Sequence, residues 1–418
     1  MDNMSQILNL KLSSDYTIEP PRGQKTPYQW INFGEDNLFP QFLQNLTLNS
    51  ATHSSIVNSK SKMTLGEGLN LTPEVENYIL TLTDDDINEL IYKMALDLII
   101  YGGYALGIIW TRDRKTIAKI YHVDFSTVRS GKIDSETHRV EKYYVSQDWS
   151  NFTLAENQPI EFQSFSQSKN KEYPEQILYY KRYQSGFYYY PIPDYMGGVG
   201  YIDLDSNIQN YHIQSIKNGL MPSMLIEIFG TPTQEEAQAI KDKIQKSFVG
   251  SNNGGKFFLT FYADENKRTN LTPIEQNNNH ELLASLNEIV TQQILTAHRL
   301  TSPTLAGIPG GGSLGGDGNE ILIASELYYQ TVIADYQKEI LKSLDKILKI
   351  NGYSGEKLTI LNSQPVKFRL SESVLSNILT QNELREMIGY QPIETQTEAS
   401  KIEMKNFDNS DFTKGEIV

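Results

Sequence analysis

Few residues in this chain have the type and spacing for chemistry. Gly310, Gly312 and Gly315 fit the G-x-G-x-x-G spacing of a dinucleotide site. That chemistry needs a strand before the glycines, so that the pyrophosphate sits between the strand end and a helix N-terminus. Here a helical pattern and Ser302-Pro303 precede them, so a dinucleotide is not expected. No G-x-x-x-x-G-K-[ST] phosphate loop and no G-x-S-x-G nucleophile turn occur. The six histidines (His53, His122, His138, His212, His280 and His298) show no metal-type spacing with one another or with acids. Acid runs such as Asp84-Asp85-Asp86 and Glu235-Glu236 stand where helices start, and offset the helix dipole there. With no cysteine, thiolate metal sites, disulfides and cysteine nucleophiles are excluded. The expectation is a protein with no catalytic residue, cofactor or metal.

The elements that would position the glycines are mechanical. Leu282, Leu286, Ile289, Val290 and Ile294 repeat at helical spacing. A glycine-rich loop, 302–318, follows, and then a helix is predicted from about Asn319 to Ile350, with neither Pro nor Gly inside. A loop hung between two long helices suits a moving part better than a pocket. Thirty-two helical residues would span about 48 Å.

The rest of the chain reads as mixed helix and strand, an α+β protein. Residues 1–50 look extended, broken by Pro20-Pro21, Pro27 and Pro40. Helices are predicted over 51–66, from Asp84–Asp86 to Gly102, over 205–219, and from a Thr231 cap with Pro232 at the first position to about Gly250. Strands are expected at 105–110, 117–123, 141–145, 177–183, 186–190, 222–229, 257–262, 271–275, 358–361 and 366–370. A last helix is read over 372–388. The 25 tyrosines fit either interfaces or ordinary strands. The absence of a long apolar run argues against a membrane span, and the N-terminus lacks a signal pattern, so a cytoplasmic origin is expected. A net charge of −14 argues against tight binding to nucleic acid through the overall field. Basic groups are thin: Lys11, Arg22 and Lys25 near the start, and Lys241, Lys243 and Lys246 scattered around one helix.

The order of several segments resembles the portal proteins of tailed bacteriophages. They are Ser50–Lys60 with Gly66-Glu-Gly68-Leu69, Val123–Arg129, Ile216–Leu225, the helix closing on Gly250–Lys256, Ala297–Gly307, Gly318-Asn-Glu320 before the long helix, and Leu379–Arg385. The resemblance implies a portal fold: a wing at 1–231 with the long helix 319–351, stem helices at 232–249 and 280–301, a clip at 250–279, a tunnel loop at 302–318 and a short helical crown at 352–418. It further implies a homo-oligomeric ring, usually of twelve copies, at one capsid vertex of a virion assembled in the host cytoplasm. Double-stranded DNA would pass through the ring during packaging and ejection. Partners would be the large terminase, which supplies the ATP hydrolysis this chain lacks, the major capsid protein and scaffold, and a head-tail adaptor, but no membrane. Gly310, Gly311, Gly312, Ser313, Leu314, Gly315 and Gly316 would face DNA. Asn252, Asn253, Lys256, Lys267 and Arg268 would face terminase or adaptor. Another virion ring protein, or an enzyme with a dispersed site, are the competing readings.

Overall fold

The computed structural model describes residues 23–217, 224–248, 257–262, 279–309 and 318–363, all within the first of two units of the chain, Met1–Pro365. The expected strands at 271–275 and 366–370, the helix 372–388 and nearly all of the crown lie outside these residues.

In chain order the strands are β1 (Gln24–Lys25), β2 (Ile31–Asn32), β3 (Gly68–Leu69), β4 (Gly103–Trp110), β5 (Ile117–Val123), β6 (Val128–Ser130), β7 (Lys142–Val145), β8 (Ile160–Ser164), β9 (Glu175–Lys181), β10 (Met224–Phe229), β11 (Phe257–Tyr262) and β12 (Ile360–Leu361). The helices are α1 (Phe39–Asn49), α2 (Ala51–Leu65), α3 (Pro73–Leu82), α4 (Ile87–Tyr101), α5 (Val199–Lys217), α6 (Gln234–Phe248), α7 (Asn279–Ala297), α8 (Gly318–Tyr328) and α9 (Ala334–Ile350). The fold is therefore α+β, as expected.

A six-stranded sheet runs in the order β5-β4-β9-β8-β7-β6. Its pairs are antiparallel except β8 with β9. Seven of the eight residues of β4 are buried, as expected of an interior strand covered on both faces. Gly107 in β4 is there because the Tyr121 ring of β5 occupies its side-chain space: a Cβ would lie 2.0 Å from that ring. Tyrosines fill much of this core. Tyr143, Tyr179, Phe125 and Tyr101 stack in succession at centroid separations of 4.6, 5.0 and 5.6 Å. Each ring removes a large apolar area from water, so the stack is a main contributor to burial.

α4 begins at Asp86, whose carboxylate accepts from Asn88 N at 2.7 Å, and ends at left-handed Gly102. Both ends match the acid run and glycine read from sequence. Its core face carries Leu90, Ile91, Met94, Ala95 and Leu98, all essentially inaccessible. Burying one such leucine or isoleucine contributes roughly 1.5–3 kcal/mol.

Several expectations need correction. Residues 39–49 are helix, not extended: Pro40 sits in the first turn of α1, where its missing N–H costs nothing. Helix α3 over 73–82 likewise starts on a proline and was not foreseen. Residues 186–190 form no strand. Gly186 has φ of +84° and turns the chain, while Tyr190 leaves irregular backbone to stack on Phe33 at 3.9 Å. α5 starts at Val199, six residues before the expected Asp205. α6 is capped by Thr233, not Thr231: Glu236 N donates to the Thr233 hydroxyl and Glu236 accepts from Thr233 N at 2.9 Å, a reciprocal capping box. Strands β6 and β8 were missed because their short runs lack clean alternation. β10 and β11 pair in parallel through all six residues, with α6 in the connection. Such a pairing requires a long crossover.

The long helix is continuous from Gly318 to Ile350, about 50 Å. Tyr329–Ile333 forms a π turn within it. No residue pattern at 329–333 marks that turn in advance.

Candidate functional site: the root of the glycine-rich loop

Gly310, Gly311, Gly312, Ser313, Leu314, Gly315 and Gly316 lie outside the described residues. So do Asn252, Asn253, Lys256, Lys267 and Arg268. What the structure does describe is the base from which the glycine-rich segment departs.

α7 stops at Ala297, earlier than expected, because Arg299 turns left-handed with φ of +54°. Leu300 N closes the turn on Leu295 O at 3.0 Å. A short 3-10 helix, Pro303–Ala306, ends at left-handed Gly307. The Thr301 hydroxyl donates to Ala324 O at 2.6 Å, so the outgoing chain is tied to α8, where the chain returns. The Ser55 hydroxyl ties Ala306 O to α2. Gly198 allows the close approach of α7: a Cβ there would stand 2.4 Å from the Ala297 Cβ.

Beneath this root lies a buried polar network that joins α2, the segment before α5, the end of α7, and α9. Asp194 Oδ2 gathers three cations and a hydroxyl. Lys60 Nζ is 2.9 Å away, Arg299 3.5 Å and Arg182 3.7 Å, and the Tyr336 hydroxyl donates to the same oxygen. Arg182 also donates through Nε to both oxygens of Glu339, at 3.0 and 3.1 Å, and lies over the Tyr336 ring at 4.1 Å. The Lys60 side chain is fully inaccessible. Burial pulls the Lys60 ammonium down, and Asp194 only partly restores it. Burial alone would raise Asp194; Lys60 and Tyr336 outweigh it and hold the carboxyl well below its usual range. The two partners thus pull oppositely on the pair's net worth. Asp194, with three cations around it, is the anchored member, and Lys60 bears the desolvation cost.

The histidines that no sequence spacing connected meet here. His53 Nδ1 and His298 Nε2 are 2.8 Å apart, although 245 residues separate them. Protons can be assigned around the network. The Thr47 hydroxyl donates to Leu43 O at 3.1 Å, so its oxygen accepts from His53 Nε2–H at 3.2 Å. His53 Nδ1 then accepts, and His298 Nε2–H donates to it. The remaining His298 nitrogen, Nδ1, is buried without a hydrogen-bond partner, as is Asp194 Oδ1. Burial, reinforced by Lys60, lowers His53 to about 3. Burial, then His53 and Lys60, holds His298 well below its ordinary value. Both rings are neutral at neutral pH. A second unforeseen pair joins His122 Nε2 to Asp97 Oδ2 at 2.7 Å. Among the described residues, no group of three or more His, Asp or Glu side chains could hold a metal ion.

The π turn serves the same root. It accommodates two consecutive buried tyrosines. The Tyr328 hydroxyl reaches His298 O at 3.4 Å, and the Tyr329 hydroxyl reaches Ser363 O at 3.1 Å. One helix thereby clamps both the end of α7 and the chain beyond β12. The only sequence hint to this network was Lys60, which falls in line with Ile56 and Thr64 on the buried face of α2. Asp194, Arg182 and Tyr336 gave none.

No family model matches the sequence. No curated protein matches it either. Among solved structures, the chain is similar to one from the virion of a native gene transfer agent particle: TM-score 0.49, 13% identity, covering 85% of this chain and 94% of the other. A chain from the neck of an empty gene transfer agent particle, computed with C6 symmetry, gives the same figures. One from the neck of the native particle, computed with C12 symmetry, gives 0.48, 14%, 85% and 95%. At these identities and TM-scores the likeness by itself assigns this chain neither a family nor a role.

Proposed function

We propose that the chain is a non-enzymatic, ring-forming subunit of the portal type, a conduit for double-stranded DNA in a phage-like particle. One observation carries this reading. A glycine-rich segment without lysine or arginine leaves and re-enters two long helices at a root pinned by a buried charged network. In this reading glycine would let the segment adapt its backbone, while the network holds its base. A loop so mounted can follow a passing duplex while its base stays fixed. The formal charge of −14 fits a channel that DNA slides through without sticking.

Apolar side chains exposed on α5, α7 and α8 support association of copies. Ile323 is 69% exposed, Ile289 51% and Leu327 50%. Isolated exposed apolar residues are ordinary on a monomer; in a ring, neighbouring copies would cover these three. In this reading Gly310–Gly316 face the lumen, and residues 250–279 meet the terminase and then a head-tail adaptor. The capsid protein and scaffold surround the ring.

Native mass measurement and electron microscopy of the purified chain test the ring. A particle near twelve times 47.6 kDa with ring-shaped views is expected. A monomer at every concentration would refute it. Deletion of Gly310–Gly316 should leave rings intact and abolish DNA packaging; packaging at full titre would overturn the loop's role.

A further inference from the structure

α9 carries a row of lysines without ion-pair partners among the described residues; Lys346 lies over a ring, that of Phe165, at 4.8 Å. Lys338, Lys342, Lys346 and Lys349 fall on one face, at successive rises of about 6, 6 and 4.5 Å. Lys357 faces the same space from the segment before β12. All five are exposed, and none forms an ion pair with a described residue. The chain holds 51 acids and only 37 lysines and arginines, so five unmatched lysines together are notable.

These lysines rim a groove of about 1030 Å³. Its apolar lining includes Leu341, Ile350, Leu358 and Ile360. Asp345 is the one acid among its described lining residues. That carboxylate is engaged: it accepts from Leu358 N at 3.2 Å and fixes one wall.

We infer that this groove docks an acidic amphipathic segment of a partner protein, one with Asp or Glu at helical spacing beside a stripe of Leu, Ile or Phe. Charge decides the acidic half of that description. Exposed ion pairs are individually weak, so the lysines alone would not hold a partner. Apolar side chains entering the floor must supply the rest, as in helix-in-groove recognition. A phosphodiester backbone would leave that floor unused, and phosphate is better held by the forked guanidinium of arginine, which the groove lacks. The inference does not depend on the portal reading.

The test uses the full chain and a fluorescein-labelled helical peptide with Glu every fourth residue beside a Leu stripe. Fluorescence anisotropy should show salt-sensitive binding. The surface variant K342E/K346E, checked for unchanged melting, should weaken binding by about tenfold or more. A peptide with Ser in place of Leu should fail to bind. Binding that K342E/K346E leaves unchanged would overturn the site, as would no binding at all. A labelled DNA duplex that binds as tightly as the peptide and competes with it would replace the proposal with a nucleic-acid site. A photoreactive residue at position 342 should crosslink to the peptide. Crosslinks only to the chain's own residues after Ser363, or only between copies, would show that the groove is already filled and would refute a separate partner.

Discussion

His53→Gln should flatten the acid sensitivity of this protein. An unfolded histidine titrates near 6.5, while burial pulls folded His53 to about 3. As pH falls below about 6.5 the unfolded chain takes up a proton that the folded chain refuses. Stability at this position is therefore complete above the unfolded value and is lost progressively as pH falls towards the folded one. At about pH 5 the linkage amounts to about 2 kcal/mol, and at about pH 8 to almost nothing. His298 acts in the same direction, because burial and its neighbour His53 also lower it. Asp97 acts oppositely. Burial raises its carboxyl to about 6, so the folded state takes that proton first and gains about 1 kcal/mol at about pH 5. Comparing the variant with the parent at each pH cancels Asp97. Glutamine at position 53 can still accept from His298 Nε2–H through its amide oxygen, so the network stays paired. Urea denaturation at the two pH values is the assay, because a melting shift would be small in a chain this long. The parent should lose about 2 kcal/mol more than His53→Gln on acidification. Equal losses in both proteins would refute the buried neutral pair.

Three further outcomes follow from the same network and core. Asp194→Asn leaves Lys60, Arg182 and Arg299 without their shared anion and should cost about 3–5 kcal/mol. Adding Lys60→Met should recover part of it in a double-mutant cycle by urea denaturation; strict additivity would show that the pair is uncoupled. Arg129 is wholly buried, forms no ion pair with a described residue, and donates instead to Asn37 Oδ1 and O at 2.7 Å, Ser126 O at 2.8 Å and Val128 O at 2.9 Å. Arg129→Met would strand these acceptors and should lower stability by about 3 kcal/mol or more, read from the denaturation midpoint. Deleting exposed Gln330 should convert the π turn to α-helix and rotate α8 by about 100° relative to α9. Tyr328 would leave His298, and amides around 298–301 should exchange faster; unchanged exchange would count against the clamp.

The elements legible in the sequence were those with local causes. Asp86 and Gly102 bounded α4, Gly66 ended α2, and alternating β-branched and aromatic residues marked β4, β5, β7 and β9. Pro40, read as a breaker, instead opens α1, because proline at a first turn and proline in a loop look alike without the rest of the fold. Tyrosines 188–190 matched a strand by composition, yet the turn at Gly186 decided otherwise.

Composition and spacing alone determined that no cysteine chemistry or phosphate loop is present, and that a glycine-rich segment joins two long helices. Those properties depend on which residues are present and on neighbours a few positions apart. Tertiary structure decided the rest: that His53 meets His298, that Asp194 collects three cations, and that a π turn lets adjacent tyrosines clamp two segments. A buried charge or a shifted histidine exists only where distant segments exclude water together, and local spacing does not encode that exclusion.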